Sequence, residues 1–522
     1  MPEGSEQLAE RADGPSSPEP NGSVRSYDVW DFFLLLAVGL FGPLMVWVNS
    51  AENPSPVGFV ILGSAAVAFA VAARWTMLRL GLDSSGATFA SAVLIFGVTN
   101  GGILLDRGFD RSLVVVLVLA AAAIVYALRE SGVLRAAVLW VGIFVLAYPW
   151  LVWLSPGDDP GERMTEDPAP LEAKMTGQQR DIVLVVLDGY GNSNVLREIY
   201  GFDNSPFEAD LRSSGFEVSS QTIPNYGRTR LSVASVLQLQ HPIQPGPYVR
   251  ADFDHLLNVI GGENLLAQWL VGNGYTHTYV ESGWFGTRCR STVDVCVEGP
   301  WPNESLYDVT NRSLLQDLPG LETGRSFSRG ANRALEWLDD SLDPLLDNDR
   351  PDFVYVHVLA PHPPLFLDAN CVLHPQDGFK GFTIAQPGMS DTQLDEARDW
   401  YVSQVQCVNS HLAALAEDAD AKDAIMIMMG DHGPDSLGQL FAAGADWDED
   451  QRFERMSAML AARAPGCDMT AIETLVNVGR RLISCLSDID FPDLPTQTFE
   501  SRPTADGEEL VEIEPPSPRV VP

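Results

Sequence analysis

Hydrophobic and polar positions divide this chain into two regimes that meet near Ser155. Before it lie five long apolar segments, Val29–Val48, Val57–Arg74, Ala87–Leu105, Leu113–Leu128 and Leu134–Leu154, parted by short polar connections. Most reach the roughly 20 residues that a helix needs to cross about 30 Å of hydrocarbon; the fourth, bracketed by Arg111 and Arg129, is the shortest. After Ser155 the apolar runs are shorter and change period. Strands are expected at Ile182–Leu187, Phe216–Ser219, Thr276–Val280, Phe353–Val358 and Ala424–Met429, with helical patterns between them at Asn264–Gly272, Ala331–Leu345 and Thr392–Ala416. Strands alternating with helices indicate an α/β domain with a mostly parallel sheet flanked by helices. The unbroken apolar run Ile182–Leu187 fits a central strand buried on both faces.

These patterns set the expected domains. Residues 1–26, rich in Pro, Gly, Ser and Glu, read as a disordered cytosolic tail, and residues 27–154 as an all-α region of five transmembrane helices. Residues 155–180 form a polar, proline-bearing linker, and residues 181–491 a single large α/β domain. Residues 492–522, rich in Pro and Glu, are expected to be disordered.

Charge orients the spans. Arg74 and Arg79 lie in the second connection and Arg129 and Arg135 in the fourth, whereas the first has no basic residue. A cytoplasmic N-terminus followed by five crossings puts everything after Leu154 outside the membrane. Arg107 and Arg111 in the third connection dissent, balanced there by Asp106 and Asp110. Few charges interrupt the spans, which favours an anchor over a transport pathway.

A formal net charge of -37 excludes nucleic acid as a partner, since phosphates need a basic surface. All six cysteines lie after the apolar region, and none forms a CxxC pair, which suggests disulfides in an oxidising compartment. Proximity favours Cys289–Cys296, Cys371–Cys407 and Cys467–Cys485.

Four places carry candidate chemistry. Asp188 closes the strand Ile182–Leu187 before Gly189, at the edge where open α/β sheets place ligands; a turn or capping role is the structural alternative. Strand Ala424–Met429 runs into Gly430-Asp431-His432-Gly433, where a carboxylate and an imidazole between glycines can face one cation such as Zn or Mn, or else form an ordinary capped loop. Thr229 opens an amphipathic helix whose free N–H groups favour an anion, and Arg228 and Arg230 flank it. A plain N-cap role for Thr229 is compatible with this. His362, between Pro361 and Pro363 after strand Phe353–Val358, could bond a substrate oxygen or protonate a leaving group. His357, inside that strand, reads as a core histidine or as support for the site.

With those residues in order, the domain resembles the alkaline phosphatase and sulfatase superfamily, in particular the membrane-anchored lipoteichoic acid synthases and phosphoethanolamine transferases. The carrying stretches are LVVLDGYG, TRLSVAS, HVLAPHPP, MMGDHG and, later, VNVGRRL. The resemblance implies an alkaline-phosphatase-like fold with one divalent metal, Zn or Mn, bound by Asp188, Thr229, Asp431 and His432. It also implies that Thr229 is the nucleophile and that His362 contacts the transferred group; Arg228 stands where the synthases have a lysine.

The implied activity is transfer of a phosphoryl headgroup from lipid to an envelope lipid or glycan, by a multi-pass membrane enzyme. The alternatives are a phosphodiesterase or ester hydrolase with the same site, and a catalytically silent envelope scaffold. Sulfate-ester hydrolysis is disfavoured, because position 229 is Thr and no cysteine has the C/S-x-P-x-R context that is matured to formylglycine. No histidine follows His432, unlike the transferases, which leaves open whether a second metal binds.

Overall fold

The structure, a computed structural model, describes residues 34–41, 56–105 and 110–128, scattered positions from 131 to 165, and most of 170–519. The longest interruptions in that last span are 300–312 and 315–323.

A seven-stranded sheet organises the domain, in the order β2-β8-β7-β1-β6-β4-β5. These strands are β1 Ile182–Leu187, β2 Glu217–Ser219, β4 Thr276–Val280, β5 Val295–Val297, β6 Asp352–Val358, β7 Ile425–Gly430 and β8 Leu460–Arg463. Five neighbours, from β7 across to β5, run parallel, while β8 is antiparallel to both β7 and β2. The expected strands all form, within a residue of the expected bounds.

Alternation along β1 shows why its six residues are all apolar. Ile182, Leu184 and Val186 enter one core, with Leu231, Val236 and Leu237 of helix Thr229–Gln238 and Trp269 of helix Leu265–Gly272. Val183, Val185 and Leu187 enter the opposite core, with Leu335, Leu338 and Leu342 of helix Gly324–Leu345 and Tyr401, Val405 and Leu412 of helix Asp391–Ala421. Truncating any of these leucines to alanine would cost about 2–5 kcal/mol.

The C-terminal tail corrects the sequence reading. Instead of the expected disorder, β9 Thr498–Thr504 and β10 Gly507–Ile513 pair antiparallel, and β10 pairs with β3 Gly246–Tyr248. Phe499 and Leu510 are buried and join the first core. The segment before β1 also rests on the domain: Met164 and Met175 form bridges to Ile243 and Ser487, and Ala173 is buried.

The three expected disulfides, Cys289–Cys296, Cys371–Cys407 and Cys467–Cys485, are formed. In the N-terminal region, helices cover Pro56–Arg79, Ser84–Asn100, Gly102–Leu105 and Arg111–Ala127. Among the described residues no helix is long and apolar enough to cross a membrane. The expected spans Val29–Val48 and Leu134–Leu154 lie mostly outside the described residues.

Candidate active site

Sheet register brings the chemistry together. Leu187 of β1 pairs with Val358 of β6 on one side and Gly430 of β7 on the other, so the residues after these three strands meet at one edge. Gly189 turns the chain after Asp188 with φ +72°, a left-handed value at which a side chain is strained. Gly430 and Gly433 are needed for close approach: a Cβ would lie 2.3 Å from the Tyr190 carbonyl oxygen at the first and 1.9 Å from that of Glu454 at the second. Small residues therefore let Asp431 and His432 sit against the backbone beside Asp188.

Helix Thr229–Gln238 comes to the same edge. Arg228 is its extended N-cap and Thr229 its first helical residue, so Thr229 is not itself the cap. Ser232, one turn along, donates to the Asp431 carbonyl at 2.6 Å and fixes the helix against the loop. Thr229 Oγ1 stands 3.1 Å from His432 Nε2. That nitrogen lies 3.3 Å from Asp431 Oδ2 and 3.7 Å from Asp188 Oδ1. The four side chains expected to share a cation are thus in one place.

Hydrogen bonds define the imidazole's tautomer. His432 Nδ1 faces the Gly433 carbonyl at 3.0 Å, and a carbonyl can only accept, so Nδ1 carries the proton. Nε2 is therefore an acceptor, and burial holds this histidine well below its ordinary range. Asp431 Oδ1 accepts from the Gly189 and His432 amides, each at 2.9 Å. Its Oδ2 and Asp188 Oδ1 are buried and have no hydrogen-bond partner among the described residues. Burial raises Asp188 to about 7, and burial together with the Asp188 charge raises Asp431 to about 8.

Two carboxylate oxygens without a hydrogen-bond partner among the described residues, an imidazole nitrogen flanked by the Thr229 hydroxyl and the Arg455 guanidinium, and that hydroxyl are donors of the kinds that hold a divalent cation, whose charge would restore both carboxylates to the ionised form.

His362 is placed by the loop after β6, which contains cis peptide bonds at Ala360–Pro361 and Pro363–Pro364. Its ring lies 6.4 Å from that of His432, centre to centre. Its Nδ1 donates to the Pro363 carbonyl at 2.6 Å, leaving Nε2 as the basic nitrogen, and burial lowers its pKa. His357 is buried within β6, with Nε2 at 3.7 Å from Asp188 Oδ2.

Two important residues were not read from the sequence. Arg455, at the end of helix Glu449–Arg455, is buried and donates to the Gly227 carbonyl at 2.8 and 3.0 Å and to that of Gly433 at 2.9 Å. Its Nη2 also lies 3.2 Å from His432 Nε2. It thereby ties the loop carrying Thr229 to the loop carrying His432, and sets a fixed positive charge near both aspartates. Asp435, just beyond His432 in the same loop, is buried; its Oδ1 accepts from the Ile384 amide at 2.8 Å, and burial raises its pKa. Asp435 was within reach of a closer reading of GDHGPDS, whereas nothing in the run around Arg455 marks it.

Aromatic residues near the site serve packing or support. Tyr401 is buried and donates to the Gly189 carbonyl at 2.8 Å, Trp400 packs on the second core, and Trp284 sets its edge against His357 beneath Arg230. Phe285 lies outside the described residues.

The family model described as Sulfatase matches residues 180–458. No curated protein matches the chain. Similar solved structures include the C-terminal periplasmic domain of EcEptC from Escherichia coli in complex with Zn, at 13% identity over 66% of this chain and 96% of that one, TM-score 0.42. Another is the phosphonate monoester hydrolase of Agrobacterium radiobacter, at 13% identity over 63% and 82%, TM-score 0.39. A third is the soluble domain of lipooligosaccharide phosphoethanolamine transferase A from Neisseria meningitidis, at 14% identity over 62% and 92%, TM-score 0.35. The matched family span covers more than half of the chain and contains every residue of the site, from Asp188 through Thr229 to His432: the chain belongs to the sulfatase family, within the alkaline phosphatase and sulfatase superfamily.

Proposed function

We propose that this protein is a membrane-anchored, metal-dependent phosphotransferase that uses Thr229 as a nucleophile and acts outside the cell on a phosphodiester of a lipid headgroup. The observation that carries the reading is the meeting of the Thr229 hydroxyl with His432 Nε2 at 3.1 Å, beside unpartnered oxygens of Asp188 and Asp431. A threonine hydroxyl is otherwise a poor nucleophile near neutral pH. When bound there by Asp188, Thr229, Asp431 and His432, a divalent cation would supply Lewis-acid activation of the kind that lowers bound water's pKa from about 15.7 to about 7, roughly 12 kcal/mol of bias.

The protein's own groups account for the rest. The helix N-terminus at Thr229 and the Arg228 guanidinium receive the anionic phosphoryl oxygens. The Thr229 oxygen bonds to phosphorus as the bond to the leaving alcohol breaks in line, and the proton lost by Thr229 is matched by the one that the leaving oxygen gains. In the second half, His362 Nε2 takes the proton of an incoming alcohol or water, the Thr229–phosphorus bond breaks, and Thr229 recovers its proton. Transfer to an envelope lipid or glycan and simple hydrolysis differ only in that acceptor.

Two features of the N-terminal region support anchoring. The apolar segments of residues 29–154 have membrane-span hydropathy, and many described large apolar side chains there are exposed, among them Trp75, Leu80, Val116, Leu119 and Ile124. Thr229 is not the residue type matured to formylglycine, which favours phosphorus over sulfur chemistry.

The test is covalent trapping. Incubation with a slowly turned-over phosphodiester and intact-mass measurement should show one added headgroup phosphate, absent from Thr229→Ala, whose turnover should fall at least about 1,000-fold. Unmodified wild-type protein during turnover would overturn the covalent step. Product analysis with and without an acceptor alcohol separates the transferase from the hydrolase.

A further inference from the structure

His357 is unusual for a residue inside a central strand. It lies next to the end of β6, is fully buried, and has no hydrogen-bond partner on either ring nitrogen among the described residues. Leaving a buried polar atom unsatisfied costs about 1–3 kcal/mol, a cost that an apolar residue here would avoid. Register shows where the ring is aimed. His357 pairs with Val186, and Val186 enters the core beneath helix Thr229–Gln238. His357 and Asp188 thus project on the side of the sheet from which Thr229 arrives.

The Asp188 carboxylate stands between two imidazoles. Its Oδ1 lies 3.7 Å from His432 Nε2 and its Oδ2 lies 3.7 Å from His357 Nε2, both beyond hydrogen-bond length. Ligand atoms of Asp188, His357 and Asp431 all fall within 4.8 Å of one another. Donors held at about 2.1 Å from one ion are separated by roughly 3 to 4 Å, so modest contraction would let these three share an ion, with His432 Nε2 approaching from the Oδ1 side of Asp188.

We propose that His357 Nε2 is a further ligand of the same cation, reaching it from the strand side of Asp188. This rests on the reading of the site as a cation site. The protein would then donate two carboxylates, two imidazoles and one hydroxyl, a set that suits Zn or Mn and discriminates against Mg, which prefers oxygen and retained water. The competing role, in which His357 only orients Asp188 through an N–H, also weakens metal binding, by about 10–100-fold, so affinity alone does not separate the two.

Counting coordinated imidazoles does. The full-length protein in detergent, stripped of metal and loaded with one equivalent of Cu(II), is read by electron spin-echo envelope modulation, which detects the remote nitrogen of each bound imidazole. Two imidazoles are expected in wild type and one each in His357→Asn and His432→Asn, with one ion per chain by elemental analysis. A wild-type count of one, lost in His432→Asn but kept in His357→Asn, overturns the proposal and leaves the cation site standing. A count unchanged by His432→Asn removes the cation-site reading itself. Two ions per chain would overturn the shared-ion arrangement. A His362→Asn control should keep a count of two, which assigns the second imidazole to His357; a count of one in that control overturns the proposal, and circular dichroism of the metal-free proteins reveals any variant that fails to fold.

Discussion

Asp188 and Asp431 make the metal-free site sensitive to pH in a direction opposite to that of ordinary surface carboxylates. Their folded-state values are raised, to about 7 and about 8, above an unfolded value near 4. Between pH 7.5 and 8.5 the folded chain therefore holds protons that the unfolded chain has lost, and stability falls as pH rises. The buried histidines His241, His277, His357, His362 and His432 are all lowered and pull the other way, but unfolded imidazoles near 6.5 hold few protons above pH 7.5, so their opposing contribution is small in this window. Integrating the two carboxyl groups gives a loss of roughly 0.8 kcal/mol from pH 7.5 to 8.5. A chelator-treated sample should show this fall in denaturant titrations, and saturating Zn or Mn should abolish or reverse it. A metal-free stability that rises across the window would contradict two protonated buried carboxylates. At this scale the sequence was informative wherever chemistry and chain punctuation coincide, as at Asp188-Gly189 and Gly430-Asp431-His432-Gly433. Arg455 was illegible because it reaches the site from a distant helix end, and its partners, the carbonyls of Gly227 and Gly433, are backbone groups that no motif encodes.

Among elements, β1, β6 and β7 were legible because central parallel strands buried on both faces are written as near-continuous apolar runs, as in IVLVVL and IMIMMG. The hairpin β9–β10 was missed for the converse reason. Its strands, TFESRPT and GEELVEI, alternate charge with few apolar residues and include Pro503, and they exist through pairing with β3 some 250 residues upstream. The hairpin supports the site directly. Phe499 stacks on Tyr226 with ring centres 5.2 Å apart, and its amide donates to the Asn225 carbonyl at 2.8 Å. Tyr226 and Asn225 begin the turn that presents Arg228 and Thr229. The other end of helix Thr229–Gln238 is held by Arg480, which donates to the Leu239 carbonyl at 2.7 Å. Phe499→Ala should therefore cost about 3–5 kcal/mol in a denaturant titration and lower turnover through the loosened loop. Turnover unchanged in the surviving folded fraction would show that the hairpin serves stability alone.

For the whole molecule, the three disulfides and the apolar N-terminal region make one topological argument. The disulfides close loops with sequence separations of 7, 36 and 18 residues, all beyond the last apolar segment. In the chain-entropy account the longest loop alone contributes about 4 kcal/mol, which a reducing cytosol would forfeit. Cys371–Cys407 also joins the loop that follows His362 to helix Asp391–Ala421, so the site shares in what this bond holds. The α/β domain should consequently lie on the oxidising side, which an odd number of crossings from a cytoplasmic N-terminus provides. Single cysteines placed in an otherwise cysteine-free or fully oxidised chain test this in intact cells: one near residue 15 should resist a membrane-impermeant maleimide, and one in the exposed run near Asp395 should react. The same pair read in inverted vesicles should exchange reactivities. If the position near Asp395 labels only in inverted vesicles, the domain faces the cytosol, and the proposed access of Thr229 to outward-facing lipid headgroups has to be abandoned.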